Sequence, residues 1–118
     1  MPAFLSAAWL ELLERSFGTI DPSIRLSIEQ VVSDAPEGDV RYRITFEGGS
    51  ARIDGGGGAD IELHTPYPVA VALATGEMTA NDALRTGLIK VAGDVSQLQA
   101  AALLAGALAD VRAETTYP

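Results

Sequence analysis

Val40-Arg41-Tyr42-Arg43-Ile44-Thr45-Phe46-Glu47-Gly48-Gly49-Ser50-Ala51-Arg52-Ile53 is the stretch that decides the fold class. Val40, Tyr42, Ile44 and Phe46 alternate with Arg41, Arg43, Thr45 and Glu47, the period of two that gives a strand one apolar and one polar face. Gly48-Gly49 suits a two-residue hairpin turn, because glycine adopts positive φ without a steric penalty, and Ala51 and Ile53 carry the alternation into the next strand. The aromatic-rich face of this hairpin needs a covering layer.

Toward the N-terminus, beyond a loop with Pro36 and Gly38, Ile24, Leu26 and Ile28 alternate with Arg25, Ser27 and Glu29 as an earlier strand. Before it, Trp9, Leu10, Leu13 and Phe17 recur at helical spacing. This predicts a helix from about Ser6 to Phe17, with Ser6 as N-cap and Gly18 as its stop, packed onto the sheet.

Toward the C-terminus, the run Asp54-Gly55-Gly56-Gly57-Gly58-Ala59-Asp60 is expected to form a flexible hairpin turn into a fourth strand with Ile61 and Leu63. Pro66 to Gly76 carries no charge and, as a helix, is apolar all round. Thr79 and Asp82 have capping-box spacing and open a short helix that Gly87 closes, and a fifth strand, Leu88 to Gly93, follows. Asp94 with Gln97 repeats the capping pattern ahead of a last helix reaching about Arg112, and the tail from Glu114 to Pro118 is expected to fray. Helix, four strands, two short helices, a strand and a long helix make an α+β fold: a largely antiparallel sheet with helices gathered on one side, as one domain over residues 1–118.

Composition removes whole classes of function. With no cysteine there is no disulfide, thiolate nucleophile or thiolate metal site. A net charge of −8 repels phosphate backbones and anionic headgroups, which argues against nucleic acid as a partner. No apolar run is long enough to span a bilayer, and Met1-Pro2-Ala3-Phe4-Leu5-Ser6 lacks the basic flank of a signal peptide, so a cytoplasmic protein without stable membrane insertion is expected. His64, the single histidine, shares strand parity with Asp60 and Glu62 on the face opposite Ile61 and Leu63, which places it toward solvent rather than in a metal or catalytic site. The glycine run lacks the Lys-Ser/Thr pair of a phosphate-binding loop, Gly49-Ser50-Ala51-Arg52 lacks the second glycine of a nucleophile elbow, and Arg41 and Arg43 read as cross-strand partners of acids such as Glu29. No cofactor, metal or catalytic residue is indicated.

Pro66 to Gly76 and the last helix, with Leu98, Leu103, Leu104 and Leu108 among many alanines, supply more apolar surface than a tight core needs. Alanines facing Tyr42, Ile44, Phe46, Ile61 and Leu63 fill little volume, which is compatible with an apolar space between sheet and helices. Alanine-rich helices packed closely on the sheet or on a partner subunit are the commoner arrangement, and periodicity does not separate the two.

The segment Gly76-Glu77-Met78-Thr79-Ala80-Asn81-Asp82-Ala83-Leu84-Arg85-Thr86-Gly87-Leu88-Ile89-Lys90-Val91-Ala92-Gly93-Asp94 resembles the hallmark region of the sterol carrier protein (type 2) family: a short helix, glycine, an apolar-basic strand, then Gly-Asp and the last helix. Val40 to Gly49 and Ala59 to Thr65 also match that family's strand pattern, so the resemblance extends from about Ile24 to Leu108. It implies a five-stranded sheet whose helices enclose a hydrophobic tunnel for fatty acids, acyl-CoA thioesters, sterols or phospholipids. On that fold the tunnel lining falls to Phe46, Leu63, Val71, Leu84, Ile89, Leu98, Ala102 and Leu103. Gly87 and Gly93-Asp94 match the hallmark, with structural roles at helix ends. The chain departs from eukaryotic carriers in its acidity and in ending Thr115-Thr116-Tyr117-Pro118 without a peroxisomal address, and its alanine-rich composition suits a bacterial protein.

The expected function is non-catalytic lipid binding, with transfer or presentation of the lipid. The alternative is an interaction module of the same fold, its tunnel collapsed, that forms a homodimer or serves a lipid-metabolising enzyme. An enzyme acting on an acyl-CoA or similar substrate would need a polar group such as Glu77 or His64 inside the tunnel.

Overall fold

A computed structural model describes residues 1–94 and 101–117 of the chain. In order, the elements are α1 (Ala7–Ser16), β1 (Leu26–Ser33), β2 (Val40–Glu47), β3 (Ser50–Asp54), β4 (Ile61–Pro66), α2 (Tyr67–Thr75), α3 (Ala80–Arg85), β5 (Lys90–Gly93) and α4 (Ala101–Val111), the last followed by a 3-10 turn at Arg112–Glu114. The fold is α+β, as the alternation in residues 24–63 required.

The five strands form one sheet in the order β3-β2-β1-β4-β5. β1 pairs antiparallel with β2 and parallel with β4, and the remaining pairs are antiparallel. The hairpin between β2 and β3 turns at Gly48 and Gly49, whose φ angles of 62° and 82° explain why glycine occupies both positions. Leu26, Ile28, Tyr42, Ile44, Phe46, Ile61 and Leu63 all point to one face and are buried together with Trp9 and Leu13 of α1 and Leu104 and Val111 from the α4 end.

The glycine run is not a hairpin turn. β4 lies beside β1 and not beside β3, so residues 55–60 carry the chain sideways across the polar face of β2 and β1. That crossing buries Glu29 completely. Its carboxylate accepts the Gly57 amide at 2.7 Å and the Gly58 amide at 3.2 Å, and pairs with Arg41 at 2.6 Å. These bonds, the Gly57 amide foremost, hold the Glu29 carboxyl below the usual carboxylate range although desolvation works the other way. A Cβ on Gly56 would meet the Glu29 and Arg41 side chains, and its φ is 93°, so the loop closes on Glu29 only with glycine there.

α1 begins where Ser6 Oγ accepts the Trp9 amide at 3.2 Å. It guards the exposed edge of the sheet: Glu14 Oε2 accepts the Ile53 amide of β3 at 2.7 Å, a donor that has no neighbouring strand. α2 ends at Gly76 in the left-handed region, and Thr79 Oγ1 caps α3 by accepting the Asp82 amide at 3.1 Å. The Leu88 and Ile89 amides both bond Ala83 O, closing α3, so β5 starts two residues later than the alternation suggested. The second capping pattern, Asp94 with Gln97, extends beyond the described residues.

As far as Tyr117 the tail does not fray. The Thr116 amide bonds Pro2 O at 2.8 Å and the Phe4 amide bonds Thr116 O at 3.0 Å, so the two ends of the chain lie side by side. Thr115 is buried, accepting Trp9 Nε1 at 3.1 Å and donating to Val111 O at 2.7 Å. Tyr117 packs against Phe4 with ring centroids 5.4 Å apart. Position at the chain end pointed to fraying, whereas a buried indole N–H that needs an acceptor holds Thr115 in place. No helix among the described residues is long and apolar enough to cross a membrane.

Candidate functional site

Between the buried face of the sheet and the helices lies a cavity of about 360 Å³. Its floor is the sheet: Gln30 and Val32 of β1, Tyr42 of β2, and Leu63 and Thr65 of β4. Register explains this grouping, since Gln30 pairs with both Tyr42 and Leu63, and Val32 with Thr65. Ala70 and Leu73 of α2 form one wall, Leu84 and Ile89 from the α3 region a second, and Leu104, Ala105 and Leu108 of α4 a third. Phe4 and Leu5 close the remaining side. Leu5 is held there with φ at 68°, a conformation unfavourable for a side chain with a Cβ, between the terminal pairing and the α1 cap.

The space exists because residues that point at it are small or far apart. α2 offers Ala70, α4 offers Ala105, and neither reaches the sheet floor as a leucine would. Two of the lining residues, Gly76 and Thr79 at the junction of α2 and α3, also meet solvent.

Polar groups on the wall are few. Gln30 Nε2 donates to Thr65 Oγ1 at 2.8 Å, a buried bond that satisfies two side chains facing an apolar space. Tyr42 is 3% exposed, and its hydroxyl has no partner among the described residues. Burial pushes its phenol well above the usual range, so it stays neutral in water near pH 7. Among the described residues Arg112 is the single charged one on the wall, and its Nε donates to Ala74 O at 2.7 Å.

Of the residues expected to line a tunnel, Leu63, Leu84 and Ile89 stand on the cavity wall. Phe46, Val71, Ala102 and Leu103 are not part of it. Phe46 is fully buried against Phe17, ring centroids 5.4 Å apart, and is paired with Leu26. It lies four residues along β2 from Tyr42, about 13 Å at strand rise. On α2 the wall is made by Ala70 and Leu73, one turn apart, and half-buried Val71 falls on a different side. On α4 the wall positions are Leu104, Ala105 and Leu108, while Ala102 is exposed and Leu103 packs half-buried against the core. Leu98 lies outside the described residues.

Gln30 and Thr65 carried a readable signal, because they share parity with Ile28 and with Ile61 and Leu63, and a polar side chain at an inward position marks a special environment. Phe4, Leu5 and Arg112 carried none, being placed by irregular backbone and by long-range packing.

His64 and Glu77, the polar groups whose burial would have suggested chemistry in the tunnel, are both exposed. His64 Nε2 lies 3.8 Å from Glu62 on the opposite face of the sheet from the cavity.

No protein-family model matches the sequence, and no curated protein matches it. Solved structures do. A conserved hypothetical protein of Thermus thermophilus, described as possibly a sterol carrier protein, superposes with a TM-score of 0.70 at 19% identity, over 97% of this chain and 90% of that one. A crystal structure of sterol carrier protein 2 gives 0.68 at 18% identity, over 96% and 99%. A palmitated sterol carrier protein 2-like protein of Aedes aegypti gives 0.62 at 18% identity, over 88% and 95%. At these identities, what is shared is the path of the chain: this protein has the fold of the sterol carrier protein 2 domains.

Proposed function

We propose that residues 1–118 act as one lipid-binding domain that holds its ligand in this cavity without catalysing a reaction, for transfer or for presentation to an enzyme. The observation that carries the reading is the cavity itself, apolar on the sheet, α2, α3 and α4 sides, with exposed Gly76 and Thr79 on its wall at the α2–α3 junction. Fatty acids, acyl-CoA thioesters, sterols and phospholipids are the ligand classes to test. The volume lies at the lower end of the roughly 300–1,000 Å³ usual for small-molecule sites. A single acyl chain fits it better than a two-chain phospholipid. The palmitated Aedes aegypti structure supports an acyl occupant on this fold. Affinity then comes mainly from buried methylenes, about 0.8 kcal/mol each, which gives a broad preference among chain lengths.

Native mass spectrometry of the protein purified from its own host, followed by organic extraction, tests the proposal. A stoichiometric lipid released on denaturation is the expected result and names its class. Bare protein that also fails to bind a panel of fluorescent lipids overturns it, and a concentration-dependent dimer would then favour the interaction module.

A further inference from the structure

Arg112 stands out on the cavity wall because, among the described residues, every other one lining it is uncharged. It follows α4 in the 3-10 turn and reaches back to the C-terminal end of α2, a helix with no basic residue in its own last turn. There Nε bonds Ala74 O, which satisfies a carbonyl left open at the helix end. The guanidinium lies flat against Gly76, where a Cβ would come within 2.9 Å of one terminal nitrogen and 3.3 Å of the other. Capping α2 uses one of five N–H donors. Among the described residues, no carboxylate lies within 4.0 Å of the guanidinium, and neither terminal nitrogen has a hydrogen-bond partner. In a chain of net charge −8, a cation beside an apolar cavity with no carboxylate partner among the described residues is not explained by helix capping alone.

Arg112 is half-buried, so it sits where the cavity meets water, beside exposed Gly76 and Thr79. A planar fork of donors matches the two oxygens of a carboxylate, and the low-dielectric wall strengthens such a bond while the chain of the same ligand occupies the apolar interior.

We infer that Arg112 is a head-group subsite that selects single-chain lipids ending in a carboxylate over neutral lipids of the same chain length. The inference rests on the lipid-binding reading above and adds to it the position and charge preference of the head group. The two terminal nitrogens receive the carboxylate, Nε stays on Ala74 O, and Gly76 leaves the guanidinium room to lie flat.

Palmitate, methyl palmitate and 1-hexadecanol share one chain and differ in the head. Their dissociation constants can be measured on the full chain from the fluorescence of Trp9, the sole tryptophan, whose ring lies 4.9 Å from Phe4 and 6.1 Å from Tyr42 on the cavity wall. A charge-assisted pair predicts that palmitate binds about ten- to a hundredfold tighter than the ester or alcohol. Arg112→Met should abolish that preference, so that palmitate and hexadecanol bind the variant equally, and Arg112→Lys should restore part of it. Equal binding of acid and alcohol by the unmodified protein, or an acid preference that survives Arg112→Met, overturns the subsite and leaves lipid binding intact. Failure of all three ligands to bind overturns the lipid-binding reading itself. If Arg112→Met unfolds for want of the Ala74 bond, the head-group series on the unmodified protein and the lysine variant still decide.

Discussion

Ala105→Leu should make the protein more stable and a poorer lipid binder at once. Ala105 stands on the α4 wall of the cavity, where leucine is about as good a helix former as alanine. Its three added carbons enter empty apolar space and contribute about 0.8 kcal/mol each, up to about 2.4 kcal/mol. Ordering a leucine side chain costs about 0.5–1 kcal/mol, which leaves a net gain of about 1.5 kcal/mol. For a chain of this length that is a rise in Tm of about 6 °C. A ligand that previously filled the same volume gives up contacts of equal size, so its Kd should rise by up to about fiftyfold. Urea denaturation of ligand-free protein measures the first effect and lipid titration the second. Loss of about 1 kcal/mol or more of stability, the usual result of crowding a filled core, would refute the claim that the space beside Ala105 is empty.

Gly56→Ala should destabilise the fold by about 1–3 kcal/mol, because its Cβ meets Glu29 and Arg41 at a φ of 93°, and thermal unfolding checks it. Thr115→Val leaves the buried Trp9 indole N–H without an acceptor and should cost about 1–3 kcal/mol, with a change in near-ultraviolet circular dichroism; an unchanged Tm would mean the tail is not anchored there. Glu29 is held below the usual carboxylate range by the Gly57 amide first, and Asp54 by Arg43 first and then by the Gly56 amide. Because their folded values lie below those of the unfolded chain, near about 4, the stability they contribute is complete above that pH and lost as pH falls through the folded values. Urea midpoints measured between about pH 6 and pH 2 should fall on the acid side, and less steeply in Glu29→Gln; identical profiles would remove Glu29 from the account.

Strand parity in residues 24–63 was enough to establish the sheet, its buried face and the α+β class, because a period of two leaves no freedom over which residues share a face. Capping residues placed the helix starts at Ser6 and Thr79 for a similar reason, since unpaired amides at a helix start need an acceptor within three residues. His64 fell on the solvent side by the same parity.

Strand order was not legible. Asp54 to Asp60 reads locally as a turn, and only the parallel pairing of β4 with β1 makes it a crossing that buries Glu29. Side of helix was equally hidden on α2 and α4, where nearly every position is apolar and no polar face orients them. For that reason Val71, Ala102 and Leu103 were expected on a wall that Ala70, Leu73, Leu104, Ala105 and Leu108 form.

The sequence by itself determined which elements form and which face of each strand is apolar, because these depend on contacts within a few residues. The tertiary structure alone decided that Phe4 and Thr115, from the two ends of the chain, meet at Trp9, and that Phe4 and Arg112 share the cavity wall. Contacts across more than a hundred residues depend on how the layers pack, and no local period records them.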